Sequence, residues 1–560
     1  MIDPKQLVAR WNTLDAARST VKSLVQEVME YCLPRRATVT VQRTDGQNLH
    51  KYLTDSTAEM SVERGASGLY GAMCPSDRAW FMLTPPIEHG RLAGEFGRDM
   101  LGVSETMRDH VSRSNYAEAA YEGFLDLMTA GVTSVEVNRG LDSLFEYTAY
   151  PFEQVTFEEN SRGRVDAVYR RFGWSARQIV QEFGEGEAAV GKTIWDAYSA
   201  NDGRNRDKIF EVLHAAVPRS DYPGGRLDAR NMPVASVWVA VMDAKVLRES
   251  GWPQLRYLVC RWVKAAGEKH GRSPAMTCLP DIKMVNQIEQ AIIDGAEQVV
   301  RPPILNPDGA GLISNSRDAN GKPVILFRPG SILNYRVNFV APGVKPEPFS
   351  TGARVDFGLE YAESKRRIIR AAMFNDLFMV LMDQTHAKTA TEVRAILHDQ
   401  MRLLGPQFGR MKVEFFDALI RINLSIMSEV PQLLGGIPLE LLNLANIRYT
   451  STLALAMEYA EMTAMQDAMV FLSPFAEIDP TVWDNFSFDE ISRGIAEKMA
   501  LPPRWLKPRD EVRALREARM QYQAQQMQQA LAQYQAEQMA RITQKPEPGS
   551  PAEAVVRGAA

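Results

Sequence analysis

Gly186, Gly191, Lys192 and Thr193 stand at the spacing of a phosphate-binding loop, within the run GEAAVGKT. In such a loop backbone amides cradle a phosphate, the lysine neutralises it, and the hydroxyl that follows reaches a magnesium ion. That chemistry also needs a buried strand feeding the loop and a helix starting at the lysine. The run in front is SARQIVQEFGE, where Ser175 and Gln178 have capping-box spacing and Ile179, Val180 and Phe183 repeat as on a helix. Glu185 and Glu187 add negative charge where phosphate would lie. Asp243, closing the apolar run VWVAVMD, stands where a magnesium-binding carboxylate would be expected, but apolar strands ending in Asp are common. The residues read as a loop between helices, with a nucleotide-driven enzyme as the competing interpretation.

Other chemistry is harder to assemble. The seven histidines, at 50, 89, 110, 214, 270, 386 and 398, are scattered singly, without HExxH or a nucleophile elbow. Cys32, Cys74, Cys260 and Cys278 form no CxxC pair, so they suggest neither a zinc knuckle nor a disulfide framework, and a reducing compartment fits. Neither a catalytic centre nor a metal or cofactor site is expected. The run ESKRRIIR places Lys365, Arg366, Arg367 and Arg370 within two helical turns. A solvated helix face explains it, and so does contact with a phosphate backbone. QTHAKTATEV, with Lys388 and Thr389, separates two apolar helical stretches. It is either an interhelical loop or a mobile loop projecting into a lumen.

The elements around these residues follow from periodicity. At 560 residues and 45% hydrophobic content the chain can build several cores, and a net charge of −5 gives no overall basic footprint for nucleic acid. The start MIDPKQLVARWN is polar, and the longest apolar run, Leu377 to Met382, is far too short to span a membrane. Helices are expected over 3–31, 56–70, 93–112 and 116–130. VTSVEV, LFEYTAY, IFEVLHAAV, VASVWVAVM and LRYLVCRW read as strands, and EQVTFEE with RVDAVYRRF, joined by NSRG, reads as a hairpin. A helix from Asp281 to Val300 stops at Arg301-Pro302-Pro303. A Pro- and Gly-rich module with short strands such as VILF follows, and a second long helix runs from about Phe357 to Met382. Further helical stretches reach Leu434 and Ala500. From Asp510 to Thr543 the chain has neither glycine nor proline, and Met520, Ala524, Met527, Leu531 and Tyr534 draw one narrow apolar stripe along a Gln-rich helix. Such a stripe needs a neighbour, although a solvated helix or a simple coiled-coil dimer gives the same pattern.

An ordered set of segments carries a resemblance. It consists of Asp55-Ser56-Thr57, LYGAMCPSDRAWFMLTP, NYAEAAYEGFLDLMTAG, YPFEQVTFEENSRGRVDAVYRRFGWSARQIVQEFG, Arg261-Trp262, HGRSPAMTCLPDIKMVNQIEQ, RPPILNP, RPGSILNY and KTATEVRAILHDQMRLLGPQFGRMKVEFFDALIRI. Together these resemble the portal proteins, or head-to-tail connectors, of short-tailed, T7-like bacteriophages. The resemblance implies an α+β, predominantly helical portal fold. Its parts are a wing over 1–280, stem helices over 281–301 and 351–382 around a clip at 302–350, and a tunnel loop at 383–392. A wing helix and crown over 393–500, a barrel helix over 501–545 and a disordered tail complete it.

The family also implies a non-enzymatic homo-oligomer, usually of twelve copies. Such a ring stands at one capsid vertex of the virion, is assembled in the host cytoplasm, and passes double-stranded DNA without reading its sequence. Implied partners are the terminase motor, tail adaptor and tail proteins, and the major capsid and scaffolding proteins. Candidate channel-lining residues are Lys365, Arg366, Arg370, Lys388 and Thr389, and candidate barrel-lining residues are Gln523, Gln526, Gln529 and Gln533. An acidic conduit with few basic rings would let DNA slide, because each matched phosphate adds affinity through counterion release. The alternatives are a DNA-handling ATPase using Gly186 to Thr193 and a coiled-coil assembly scaffold.

Overall fold

The computed structural model of the chain describes residues 2–44, 46–50, 53–76, 78–85, 90–200, 204–222, 231–307, 329–335, 346–349, 355–377, 405–451, 465, 468–475, 480–498, 507 and 509–543. The expected helix over 3–31 is two helices, α1 (Pro4–Ala17) and α2 (Ser19–Cys32). They part at Arg18, whose buried guanidinium donates to the carbonyls of Phe152, Glu153 and Val155 at 2.7–2.8 Å and to Asp15. A long-range capping demand of this kind leaves no mark on local periodicity.

A helical core holds α3 (Thr57–Met73), α4 (Gly90–Ser112) and α5 (Tyr116–Thr129). Trp80 is fully buried there among Tyr116, Phe416 and Tyr449. Beside it β1 (Phe81–Thr84) pairs antiparallel with β13 (Asn446–Tyr449), so distant parts of the chain close the same core.

Two further sheets carry most of the β structure. In the first, β2 (Val132–Asn138) runs between β3 (Glu146–Tyr150) and β9 (Tyr257–Arg261). The second is an antiparallel meander of β4 (Val155–Glu159), β5 (Val165–Ser175), β6 (Ile209–Pro218), β7 (Val234–Ala240) and β8 (Lys245–Trp252). Alternation decides its faces: Tyr169, Leu213 and Val237 meet Leu7 of α1 on one side, while Phe172, Phe210 and Val212 meet Ile179 and Ile194 on the other. Those last two belong to α6 (Ala176–Phe183) and α8 (Lys192–Ser199), with α7 (Glu187–Val190) between them. The edge strand β8 has no clean apolar alternation and was not legible in the sequence.

An antiparallel helical hairpin follows. The helix α9 (Pro274–Val300) starts seven residues before the expected Asp281, because Ser273 caps it, its hydroxyl accepting from the Met276 amide at 3.0 Å. Pro280 lies inside it. Its partner α10 (Val355–Ala372) packs so closely that a Cβ on Gly358 would lie 2.9 Å from Ile292. Beyond the end of α9, β10 (Ile304–Pro307) pairs parallel with β11 (Ile332–Tyr335) and antiparallel with β12 (Glu347–Pro348). The VILF strand lies outside the described residues.

The regular part of α10 ends at Ala372, short of the expected Met382, although residues 378–382 lie outside the described residues. Phe374 takes a left-handed φ of 59°, which costs an aromatic residue about 1–2 kcal/mol. Asn375 behind it is buried with neither side-chain polar atom bonded, a further cost of about 1–3 kcal/mol.

After α11 (Gly405–Met411) a π-helical turn, Lys412–Phe416, leads into α12 (Asp417–Met427). The expected continuous helical stretch to Leu434 is thus interrupted and ends early. After α13 (Leu439–Leu444) and α14 (Phe488–Lys498), α15 (Arg509–Thr543) runs 35 residues, roughly 52 Å. Its side chains from 513 to 537 are exposed, and Arg516 forks onto Asp489 of α14 with two bonds of 2.6 Å.

Candidate functional site

The loop at Gly186–Thr193 has the glycine spacing of a phosphate loop without its surroundings. Gly186 and Gly191 take φ of 107° and 97°, and the helix α6, closed by the expected Ser175–Gln178 capping box, leads in where a strand is required. The place in front of α8 is already filled. Thr193 Oγ1 donates to Asp243 Oδ1 at 2.5 Å and the Thr193 amide to Oδ2 at 3.2 Å, and a Cβ on Gly191 would lie 2.5 Å from that oxygen. An internal carboxylate therefore caps the helix where an anion would bind. Lys245 donates to the carbonyls of Glu187 and Ala188 at 2.6 Å, while Lys192 points into solvent.

Asp243→Ala is accordingly expected to cost about 1 kcal/mol through loss of the cap. Lys192→Ala should stay within about 0.5 kcal/mol. Urea denaturation of the two variants checks both.

The cations of the helical hairpin are matched by carboxylates. Lys365 pairs with Asp281 of α9 at 2.8 Å, and Arg370 with Glu363 at 2.9 Å. Arg366 donates from Nε to Asp55 at 2.8 Å and also pairs with Glu289, with Glu363 at 3.6 Å. Burial works against its charge, and Asp55 and Glu289 outweigh that, holding the guanidinium above its ordinary value. Asp55 also caps α3 by accepting from the Thr57 amide at 2.8 Å. Asn286 of α9 completes the joint, its Oδ1 accepting from the amides of Thr54 and Asp55 at 3.0 and 3.2 Å. Asn286 was missed in the sequence; Asp55-Ser56-Thr57, visible there only as part of the resemblance, is the other half of the same contact. Arg367 is exposed and makes no ion pair among the described residues. Lys388 and Thr389 lie outside the described residues, and Gln523, Gln526, Gln529 and Gln533 are all exposed on α15.

A family model, bacteriophage head to tail connecting protein, matches residues 4–506. The chain belongs to that family. It is similar to a probable portal protein of Bordetella phage BPP-1, 27% identical over 531 residues that cover 93% of this chain and 91% of that one. It is also similar to a portal protein of Salmonella phage epsilon15, 24% identical with 92% and 91% covered. Among solved structures, a chain in the virion of a native gene transfer agent particle aligns over 79% of this chain and 95% of its own. At 12% identity and a TM-score of 0.31, that likeness carries no argument.

Two features of this connecting protein were wholly or partly missed in the sequence. One is a buried ionic joint. Arg261, at the end of β9, is 1% exposed and pairs with Glu159 of β4 and with Glu414 of the π-helical turn at 2.6 Å. Lys264 and Arg410 flank it, at 2.5 Å from Glu159 and 3.1 Å from Glu414. Arg261-Trp262 was visible only as part of the resemblance, and nothing local signals its partners, 102 and 153 residues away. The other is exposed apolar surface on the hairpin, beside the stripe on α15 that the sequence already showed. Val299, Val300, Phe357 and Leu359 are exposed on the first, and Met520, Met527, Leu531 and Tyr534 on the second. Among the described residues no helix is long and apolar enough to cross a membrane. That surface is therefore not a membrane span of the helical kind.

Proposed function

We propose that this protein forms the portal ring of a phage head. In this reading it is a non-enzymatic channel at one capsid vertex through which double-stranded DNA enters and later leaves. A packaging motor would dock on it first and tail proteins afterwards. The observation that carries the ring is the exposed apolar surface of α9 and α10, which neighbouring copies would cover. In this reading α9 and α10 are the stem, the β10–β12 sheet is the clip, the segment over 383–392 is the tunnel loop, and α15 is a barrel stave with Gln523, Gln526, Gln529 and Gln533 toward the lumen. Twelve copies and virion location after assembly in the host cytoplasm complete the proposal.

Lys365, Arg366 and Arg370, with Lys388 and Thr389 beyond them, would line the channel as rings. Ion pairing of the first three to Asp281, Asp55, Glu289 and Glu363 supports a wall that guides DNA without gripping it, because a cation already matched releases few counterions from DNA.

The test is mass measurement and negative-stain imaging of the purified full chain. A single closed ring of several hundred kilodaltons, without ATP hydrolysis and unchanged by Lys192→Ala, is the expected result. ATP-dependent activity lost in Lys192→Ala would overturn it. Removal of residues 509–560 should leave the ring closed; loss of all assembly would favour a coiled-coil scaffold built on α15.

A further inference from the structure

Around the five-stranded sheet, Arg171 pairs with Glu211, Arg219 with Glu249 at 2.8 Å, Arg248 with Glu182 at 2.9 Å, and Arg10 with Glu158. Where α6, α8 and the start of β6 meet, three cations are left over. Arg177 of α6, Arg206 of the 3-10 turn Arg204–Asp207, and Lys208 just before β6 are exposed and make no ion pair among the described residues. Asp196 and Asp207 stand in the same segments without matching them. Apolar and aromatic surface lies beside these charges. The half-buried rings of Trp195 and Tyr198 on α8 are 5.7 Å apart, and Ile209 is 70% exposed. The group is also held in place. Arg206 donates from Nε to the Tyr198 carbonyl at 3.2 Å, with its guanidinium 4.9 Å from the centre of that ring, which leaves its terminal nitrogens for a partner. The Lys208 carbonyl accepts from the Ala176 amide at 3.0 Å. Ile209 lies across Gly173 so closely that a Cβ there would meet its Cγ2 at 2.6 Å.

We propose that this face, made of Arg177, Trp195, Tyr198, Arg206, Lys208 and Ile209, docks an acidic segment of another protein. Carboxylates of the segment meet the three cations, and an apolar side chain covers Ile209. An exposed aliphatic residue on a fixed seat, beside Trp, Tyr and Arg, has the composition of a binding hot spot. Because the seat is already ordered, little side-chain freedom is lost when a partner arrives. The unmatched cations raise the rate of encounter, and the apolar contact supplies most of the residence. A nucleic acid fits the face less well. Asp196 and Asp207 would repel an unbroken row of phosphates, and a phosphate backbone offers nothing to Ile209. Carboxylates on a protein segment can be spaced to avoid both acids. No residue of the hairpin or of α15 takes part, so the surface stands or falls separately from the ring.

The test uses the full-length protein and two short fluorescent peptides, read by anisotropy at physiological salt. One consists of Glu and Asp around a central Leu-Phe pair; the other has Lys in place of every acid. The acidic peptide is expected to bind saturably and its lysine counterpart not to. Ile209→Ser and Arg206→Ala should each weaken binding on the order of fivefold or more, the loss that marks a hot-spot residue. Arg177→Ala combined with Lys208→Ala should also weaken it, with a loss that grows as salt is lowered, and gives a second reading if Arg206→Ala disturbs α8. Arg162→Ala, at an exposed cation of the β4–β5 turn, should leave binding unchanged. Equal binding of the two peptides, or full affinity in Ile209→Ser, would overturn the proposal. Displacement of the peptide by duplex DNA, with DNA bound equally by wild type and Ile209→Ser, would mark a phosphate-binding surface and overturn it as well.

Discussion

Arg261→Met is expected to destabilise the folded chain by about 3–5 kcal/mol, because it removes one side of a buried ion pair and leaves the other side charged. The methionine keeps the length and apolar body of the arginine, so most of the loss is electrostatic. Glu159 and Glu414 would face a closed interior with only Lys264 and Arg410 to balance them. The backbone loses as well, since Arg261 donates to the carbonyls of Gly163 and Lys269 at 3.2 and 3.3 Å.

A triple variant, Arg261→Met with Glu159→Gln and Glu414→Gln, should recover much of the loss, because an uncharged cluster no longer carries an unpaired desolvated charge. Acid gives a second readout. Burial raises the Glu159 carboxyl, and the bonds from Lys264 and Arg261 outweigh it, leaving it below the ordinary 4.5. A carboxylate depressed in the folded state stabilises fully above its unfolded value and loses that contribution as pH falls below it. Wild type should therefore weaken from about pH 4.5 downward more steeply than Arg261→Met. Chemical denaturation of the three proteins across that range measures both effects; equal stability of wild type and Arg261→Met at neutral pH would remove the argument.

The same joint shows why some of the fold was legible and some was not. Strands β2, β5, β6 and β7 announce themselves because alternation and β-branched residues act locally. The helices α3, α5 and α15 do so through apolar repeats at 3.6-residue spacing. The π-helical turn at Lys412–Phe416 has no such code. It adds a residue to a helical turn, and the turn carries Glu414, whose carboxylate meets Arg261. Likewise Arg18 splits the first helix because three carbonyls of the β3–β4 connection need donors. The start expected at Asp281 erred in the opposite sense: α9 begins at Pro274, once Ser273 has capped it, and runs through Pro280.

At the candidate site, residue types were legible and their partners were not. The basic run from Lys365 to Arg370 is plain in the sequence, and both readings of it, solvated face and phosphate contact, left out the acids that the fold brings to it. Asp55 is 311 residues from Arg366 in the chain and within hydrogen-bond distance in space. The phosphate-loop match failed for a reason already visible, the helix entering it. That Asp243 would fill the loop, and not a metal ion, needed β7 and α8 in three dimensions.

The second large effect is expected at Arg366. Arg366→Ala should cost about 1–3 kcal/mol, less than a fully buried pair because the guanidinium keeps some contact with solvent. The loss falls on a joint of three elements. Asp55 is nearly buried and must still cap α3, while Glu289 on α9 and Glu363 on α10 would repel each other with no cation between them. Adding Glu289→Gln should restore part of the stability; Arg370→Ala, at a more exposed pair, should change it by less than about 1 kcal/mol.

These variants also separate two roles for the same arginine. If Arg366 served chiefly to hold phosphate, its removal would weaken DNA retention by the assembled ring, lower the salt dependence of that retention, and leave unfolding unchanged. A side chain already bound to Asp55 and Glu289 predicts the reverse: unfolding shifts, and the salt dependence of retention stays as in wild type. Denaturation of the ring together with DNA retention at two salt concentrations distinguishes the outcomes. If the hairpin lines a channel as proposed, such ion matching suits a wall that must keep its shape against passing charge without binding it.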